Sequence, residues 1–170
     1  MSEKLTAGSP FPSLSWSALG EGRIDPITDD GWRLLIVYRG KHCPLCRQYL
    51  KTLNGMFSDF EEAGIKVYAV SADPQEKAKA EATEDGWSFP VGYDLQPDQM
   101  RMLGLYVSSP RSPEETDRPF AEPGLFGINP AGEVHLIDIS NAPFARPDLQ
   151  MVLNGLKFVM SKDYPTRGTF

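Results

Sequence analysis

The chain has 170 residues, 41% of them hydrophobic and 24% charged, an ordinary composition for a globular protein long enough to bury one core. Seventeen Lys and Arg against 23 Asp and Glu leave a formal charge of −6, which argues against nucleic-acid and membrane-surface binding. Two cysteines are too few for a disulfide scaffold, their C-x-x-C is half of a four-ligand zinc site, and no apolar run reaches transmembrane length.

Met1-Ser2-Glu3-Lys4-Leu5 has neither a basic start nor an apolar stretch, so no secretory leader is expected and the expected location is cytoplasmic. Residues 1–31, rich in Gly, Pro and Ser, predict an N-terminal extension of two short strands or an ordered arm. Its apolar pieces are Phe11-Pro12-Ser13-Leu14 and Ile24-Asp25-Pro26-Ile27, and Phe11, Leu14, Trp16 and Leu19 need a surface to cover. Residues 32–38 are apolar on both faces and predict a central strand. Leu45, Tyr49, Leu50, Leu53, Phe57 and Phe60 recur at three- and four-residue spacing, which predicts a helix over 44–63 closed by Gly64.

Residues 65–71 predict a second buried strand. Asp73 is expected to cap a helix running to Asp85, with Pro74 at its first position and Glu76, Lys77, Lys79, Glu81 and Glu84 facing water. A short extended piece at 89–93 precedes a helix over 97–106, with Met100, Leu103 and Leu105 inward; Met100, Met102 and Met151 read as core filler. Residues 108–122, with Pro110, Pro113 and Pro119, read as a surface insertion. Strands over 124–128 and 133–139 form an antiparallel hairpin through Asn129-Pro130-Ala131-Gly132, and a helix over 147–161 buries Leu149, Val152, Leu153, Leu156 and Val159. With no internal repeat and no linker, residues 1–170 read as a single α/β domain with a mixed central sheet and helices on both faces.

Both cysteines lie in Lys41-His42-Cys43-Pro44-Leu45-Cys46-Arg47, between the first central strand and its helix. A C-x-x-C there reads as a redox dithiol. The helix start offers unpaired N–H groups and a positive dipole end to a thiolate, and Pro44 suits the first helical position. Arg39, Lys41, His42 and Arg47 add local positive charge, which lowers a thiol pKa. Cys43 is therefore expected to be the exposed attacking thiolate and Cys46 the resolving thiol. His42 is a candidate for tuning the pair or is simply solvated; His135, in an alternating strand, reads as structural. Arg111 and Arg118 of the insertion are candidate substitute cations.

The element order with C-x-x-C after the first central strand resembles the thioredoxin fold, a three-layer α/β/α sandwich. Gly8-Ser9-Pro10-Phe11-Pro12-Ser13-Leu14 is similar to the opening of its peroxiredoxin-like branch, the alkyl hydroperoxide reductase/thiol-specific antioxidant (redoxin) proteins. Gly124-Leu125-Phe126-Gly127-Ile128-Asn129-Pro130-Ala131-Gly132 is similar to that branch's later strand and turn, so the likeness spans roughly residues 5–162. The family pattern places a threonine three residues before its peroxide-attacking cysteine, a proline four before that, and a distant arginine. Here Gly40, Ile36 and Pro123 stand at those positions. Thioredoxin-like oxidoreductases carry at the last position a proline with a cis peptide bond, which pairs with a substrate's extended chain, and Pro123 looks like that residue. The buried acid of thioredoxins would fall at Val37.

The resemblance and the residues together imply a cofactor-free, metal-free oxidoreductase. The leading expectation is a thiol–disulfide oxidoreductase with Cys43 and Cys46 as catalytic residues, and with Pro123, Pro44, His42 and Arg47 shaping the site. Its partners would be a disulfide-containing protein or small thiol and a thiol electron donor, with a homodimer among the family's habits. The alternative is a peroxiredoxin-type thiol peroxidase in which Cys43 attacks peroxide and Cys46 resolves. A third reading is a non-catalytic redox sensor that recognises a partner through the 108–122 loop and the C-terminal tail.

Overall fold

The computed structural model describes residues 4–170, so the expectation drawn from Met1, Ser2 and Glu3 lies outside the described residues. The described residues form nine strands and four helices: β1 (Trp16–Ala18), β2 (Gly22–Ile24), β3 (Trp32–Val37), α1 (Pro44–Glu62), β4 (Ile65–Val70), α2 (Gln75–Asp85), β5 (Val91–Gly92), α3 (Pro97–Met102), β6 (Val107–Ser108), β7 (Phe120–Ala121), β8 (Gly124–Ile128), β9 (Val134–Ile139) and α4 (Leu149–Lys162). Seven strands form one mixed sheet in the order β2-β1-β5-β4-β3-β8-β9. β3 is central, parallel to β4 and antiparallel to β8. This is the mixed α/β arrangement expected.

Alternation along β3 explains its unbroken apolar run. Leu35 and Val37 enter a core with Phe11, Trp16, Ile24, Met100 and Phe120, while Leu34 and Ile36 enter one with α1, α4 and Ala78 of α2. Leu50, Leu53 and Phe60 of α1 and Leu149, Val152, Leu153 and Leu156 of α4 are all buried, as their spacing predicts. The N-terminal arm covers the opposite face, and β1 adds to the sheet edge against β5. Its two short strands, as expected, lie at 16–18 and 22–24, the second ending on Ile24, and are turned by left-handed Gly20 and Glu21.

Several local expectations are corrected. Asp73 does not cap α2; Pro74 is the cap, and the Asp73 carboxylate accepts a hydrogen bond from the Lys41 N–H at 2.8 Å. α3 stops at Met102 because Gly104 turns left-handed at φ 72°, although Leu103 and Leu105 are still buried as loop residues. Met102 and Met151 face solvent, at 45% and 73% exposure, so only Met100 fills the core. Glu81 is fully buried rather than wet, because it shares the inward stripe of α2 with Ala78 and Ala82. The 108–122 insertion is closed at its ends by the antiparallel pairing of β6 with β7.

Candidate active site

β3 ends at Val37, and α1 begins seven residues later at Pro44. Cys43 is the N-cap residue: its backbone is extended, and its Sγ accepts the Cys46 N–H at 3.3 Å. Pro44 occupies the first helical position, where no donor is needed, as expected. The Cys43 N–H donates to the Gly40 carbonyl at 3.1 Å, closing the approach to the helix. Gly40 has φ 142°, and a Cβ added there would lie 2.7 Å from Oδ1 of Asp73. A threonine at this position has no room, since the Asp73 carboxylate fills the space its side chain would need.

Both sulfurs are enclosed. Cys43 is 2% and Cys46 1% exposed, in the same buried cluster as Tyr38, Leu50, Leu125 and Leu149. This corrects the expectation of an exposed Cys43: the first turn of α1 packs both sulfurs into that cluster. Just before it, the His42 ring meets Phe120 edge-on at 4.7 Å, and the Arg39 guanidinium lies 4.8 Å from the same ring.

The two thiols hold one proton unequally. Cys43 is pulled down to about 6, chiefly by the hydrogen bond from the Cys46 thiol, against burial and with help from the Cys46 N–H and Arg39. Cys46 is pushed up because it gives that hydrogen bond and is desolvated, with Arg146 opposing. Cys43 is thus the thiolate and Cys46 the thiol. Arg39 is anchored by buried Glu122 in an ion pair at 3.1 Å that lacks hydrogen-bond alignment. Glu122 also accepts from the Ser108 hydroxyl at 3.0 Å. Arg146 donates from Nη2 to the Cys46 sulfur at 2.8 Å.

The other expected site residues separate. His42 packs against Phe120 with neither ring nitrogen hydrogen-bonded, and burial and then Arg39 lower its pKa. Arg47 is corrected: its guanidinium turns to Asp85 at 2.7 Å and Glu84 at 2.8 Å, and is neutralised away from the dithiol. Lys41 is likewise shared with Glu84 at 3.5 Å. Pro123 is also corrected, because no peptide bond among the described residues is cis. Its carbonyl already accepts the Ser140 N–H at 3.0 Å, so this backbone edge is not free for a substrate chain. Pro123 still lines a small enclosed cavity with Ile36, Tyr49 and Arg146. Arg111 pairs with Glu115, and Arg118 with Asp117 and Asp94, so neither supplies a cation to the sulfurs. His135 packs edge-on to Trp32 and shares a hydrogen bond with Thr166, a structural role.

Sequence reasoning missed Arg146, Glu122, Asp73 and Glu81. Arg146 lies in the coil Ala142-Pro143-Phe144-Ala145-Arg146-Pro147, where no spacing marks it. Glu81 was masked by charged neighbours; burial and then Asp73 raise it to about 7, and both its oxygens lack partners. Among the described residues, no cluster of three or more His, Cys, Asp or Glu could hold a metal.

Comparison with known proteins follows the same lines. The AhpC/TSA family model matches residues 8–137. A probable 1-Cys peroxiredoxin of Syntrichia ruralis is 24% identical over 125 residues, covering 67% of this chain and 55% of that protein. The 1-Cys peroxiredoxin PER1 of Zea mays is 25% identical over 129 residues, covering 66% and 54%. The chain thus spans about half the length of the curated relatives it matches. Among solved structures, a peroxiredoxin-like protein from Aquifex aeolicus superposes with a TM-score of 0.77 at 18% identity, covering 92% of this chain and 89% of that one. AhpC of Enterococcus faecalis gives 0.74 at 19% identity, covering 95% and 98%. These structures share the fold, and with the family pattern running through three quarters of its length, the chain belongs to the AhpC/TSA family.

Proposed function

We propose that the chain is a thiol peroxidase in which Cys43 is the attacking sulfur and Cys46 resolves it. The observation that carries this reading is a sulfur held as thiolate at a helix start, beside a guanidinium, yet 2% exposed. A hydroperoxide needs only a narrow path to such an atom, whereas a protein disulfide must be brought into contact with it. With its carbonyl already taken by the Ser140 N–H, Pro123 no longer supports disulfide exchange with an extended client, although the C-x-x-C spacing still does. The matched relatives, named as peroxiredoxins, point the same way.

In this scheme the Cys43 thiolate attacks one oxygen of the hydroperoxide. An S–O bond forms, the O–O bond breaks, and the departing alkoxide or hydroxide leaves as alcohol or water after taking a proton. Peroxide is reduced by two electrons and Cys43 becomes a sulfenic acid. Arg39, held by Glu122, stabilises the charge that develops on the departing oxygen, in place of the missing threonine and distant arginine. The Cys46 sulfur then displaces the hydroxyl from Cys43, giving a disulfide and water, and an external thiol donor restores the dithiol.

Stopped-flow mixing of the reduced protein with hydrogen peroxide tests the reading. Oxidation of Cys43 should run orders of magnitude faster than that of free cysteine thiolate and vanish in Cys43→Ser; a rate no faster than free cysteine overturns it. Disulfide exchange stays as a second reading because Leu45, between the cysteines, is 44% exposed and Phe144 beside it 79%, an apolar rim on which a client could rest. Faster turnover with insulin disulfides than with peroxide would favour it.

A further inference from the structure

Arg146 comes from the coil before α4 and reaches Cys46 across 100 residues of sequence, with its Nη2 2.8 Å from Sγ. It is held in that pose from several sides. Its Nη1 donates to the Pro143 carbonyl at 3.1 Å, and its guanidinium stands 4.9 Å from the centre of the Tyr49 ring. The Tyr49 hydroxyl in turn donates to the Pro147 carbonyl at 2.7 Å, tying α1 to the coil on the other side of Arg146. Among the described residues no carboxylate pairs with Arg146, whereas Arg47 is paired with Glu84 and Asp85, Arg111 with Glu115, and Arg118 with Asp94 and Asp117. Its positive charge is therefore directed at a sulfur. A guanidinium N–H aimed at a sulfur suits an anionic acceptor far better than a neutral one.

In the reduced protein the anion sits on Cys43, and Cys46 keeps the proton. We propose that Arg146 is a second catalytic cation of this site, which turns Cys46 into the nucleophile once Cys43 has been oxidised; this rests on the peroxidase reading above. Conversion of Cys43 to a sulfenic acid removes the anion to which Cys46 donates. The negative charge of the pair then has one stabilised place, the Cys46 sulfur beside Arg146. That sulfur attacks the Cys43 sulfur, the S–S bond forms, and the S–O bond breaks. The proton from Cys46 leaves with the hydroxyl as water, so the step needs no further oxidant or reductant. The site carries one guanidinium for each sulfur, Arg39 for the attack on peroxide and Arg146 for the closing of the disulfide.

The test reads Cys46 without any peroxide. In a Cys43→Ser chain, thiolate absorbance at 240 nm is followed against pH below 9, where Tyr38 near Cys46 and Tyr49 against Arg146 both stay protonated because burial raises them. With Arg146 present, Cys46 should titrate below the ordinary thiol value of about 8.5. Adding Arg146→Gln should lower the thiolate fraction at pH 7 about tenfold, one unit in midpoint, while Arg146→Lys should retain at least half of the effect. Three results overturn the assignment: a midpoint at or above the ordinary value in Cys43→Ser itself, no movement on Arg146→Gln, or equal loss in the Lys and Gln variants. The first of these decides even if the Gln variant does not fold. In the otherwise unaltered chain, Arg146→Gln should let sulfenic acid accumulate on Cys43 after peroxide, seen by a dimedone-type probe and mass spectrometry, with disulfide formation slowed about tenfold. If Cys43 takes up no oxygen in either chain, the peroxidase reading fails, and the titration still decides the role of Arg146.

Discussion

Removing the Cys46 thiol should cost Cys43 most of its activation, and replacing it with another donor should not. The hydrogen bond from Cys46 is the largest influence holding Cys43 down to about 6. At pH 7 a thiol of pKa about 6 is roughly nine-tenths thiolate, whereas an unperturbed one at about 8.5 is roughly 3% thiolate, about a thirtyfold difference. Cys46→Ala deletes the side-chain donor and leaves burial, the Cys46 N–H and Arg39, so the Cys43 midpoint should rise by at least one unit. Cys46→Ser keeps an O–H at the same place, and its midpoint should stay closer to the wild-type value. The wild-type rate of the first oxidation should rise with pH through about 6 and level off above 7, because the thiolate is the reacting form. Thiolate absorbance and stopped-flow peroxide oxidation, measured from pH 4 to 9, give the midpoint in two independent ways. If Cys46→Ala titrates with wild type, the one-proton pairing of the two sulfurs is wrong.

Three other perturbations test the surroundings. The folded-state pKa of Glu81 is raised to about 7 from an unfolded value near 4.5, so its contribution is harmless below 4.5 and grows unfavourable as pH rises towards and through 7. By linkage this amounts to about 3 kcal/mol above pH 8; Glu81→Gln should flatten the fall in stability between pH 5 and 8 in urea unfolding, and an unchanged slope refutes the buried acid. Gly40→Thr, which restores the family hydroxyl, should destabilise by about 2 kcal/mol or more and bring no gain in peroxide rate, because its Cβ meets the Asp73 carboxylate at a left-handed backbone position. Arg47→Ala should leave the Cys43 midpoint and peroxide rate within about twofold, since its charge is already matched by Asp85 and Glu84.

The parts of this fold that were legible are those in which local pattern and tertiary environment agree. β3 reads as central because Leu34 to Val37 are apolar on both faces, and both faces are covered. α1 and α4 read correctly because their buried residues recur at helical spacing. The dithiol is legible because its two sulfurs are three residues apart at a helix start, a purely local geometry. What was illegible depends on distant approach. Nothing near Arg146 points to Cys46, and nothing near Glu81 sets it apart from Glu76 or Glu84, which share its composition but not its side of α2. The peptide bond before Pro123 depends on how β8 meets the chain after β9, so likeness to a thioredoxin position could not settle it. Arg39 and Arg47 flank Cys43 at equal distance in sequence, yet one is turned towards the sulfur by Glu122 and the other is drawn away by Asp85.

In the proposed reaction, the atom that closes the N-terminus of α1 is also the atom that reacts. While reduced, Cys43 offers an anionic acceptor to the Cys46 N–H and a counter-charge to Arg39 and the helix dipole. The sulfenic acid and the disulfide of Cys43 are neutral, poorer acceptors, so each turnover of the proposed cycle withdraws support from the helix end and each re-reduction restores it. Folding energy therefore favours the dithiol over the disulfide and moves the couple towards the oxidising end of the thiol scale. Recycling by a thiol donor is then downhill, with the tightening of one helical turn as part of its driving force.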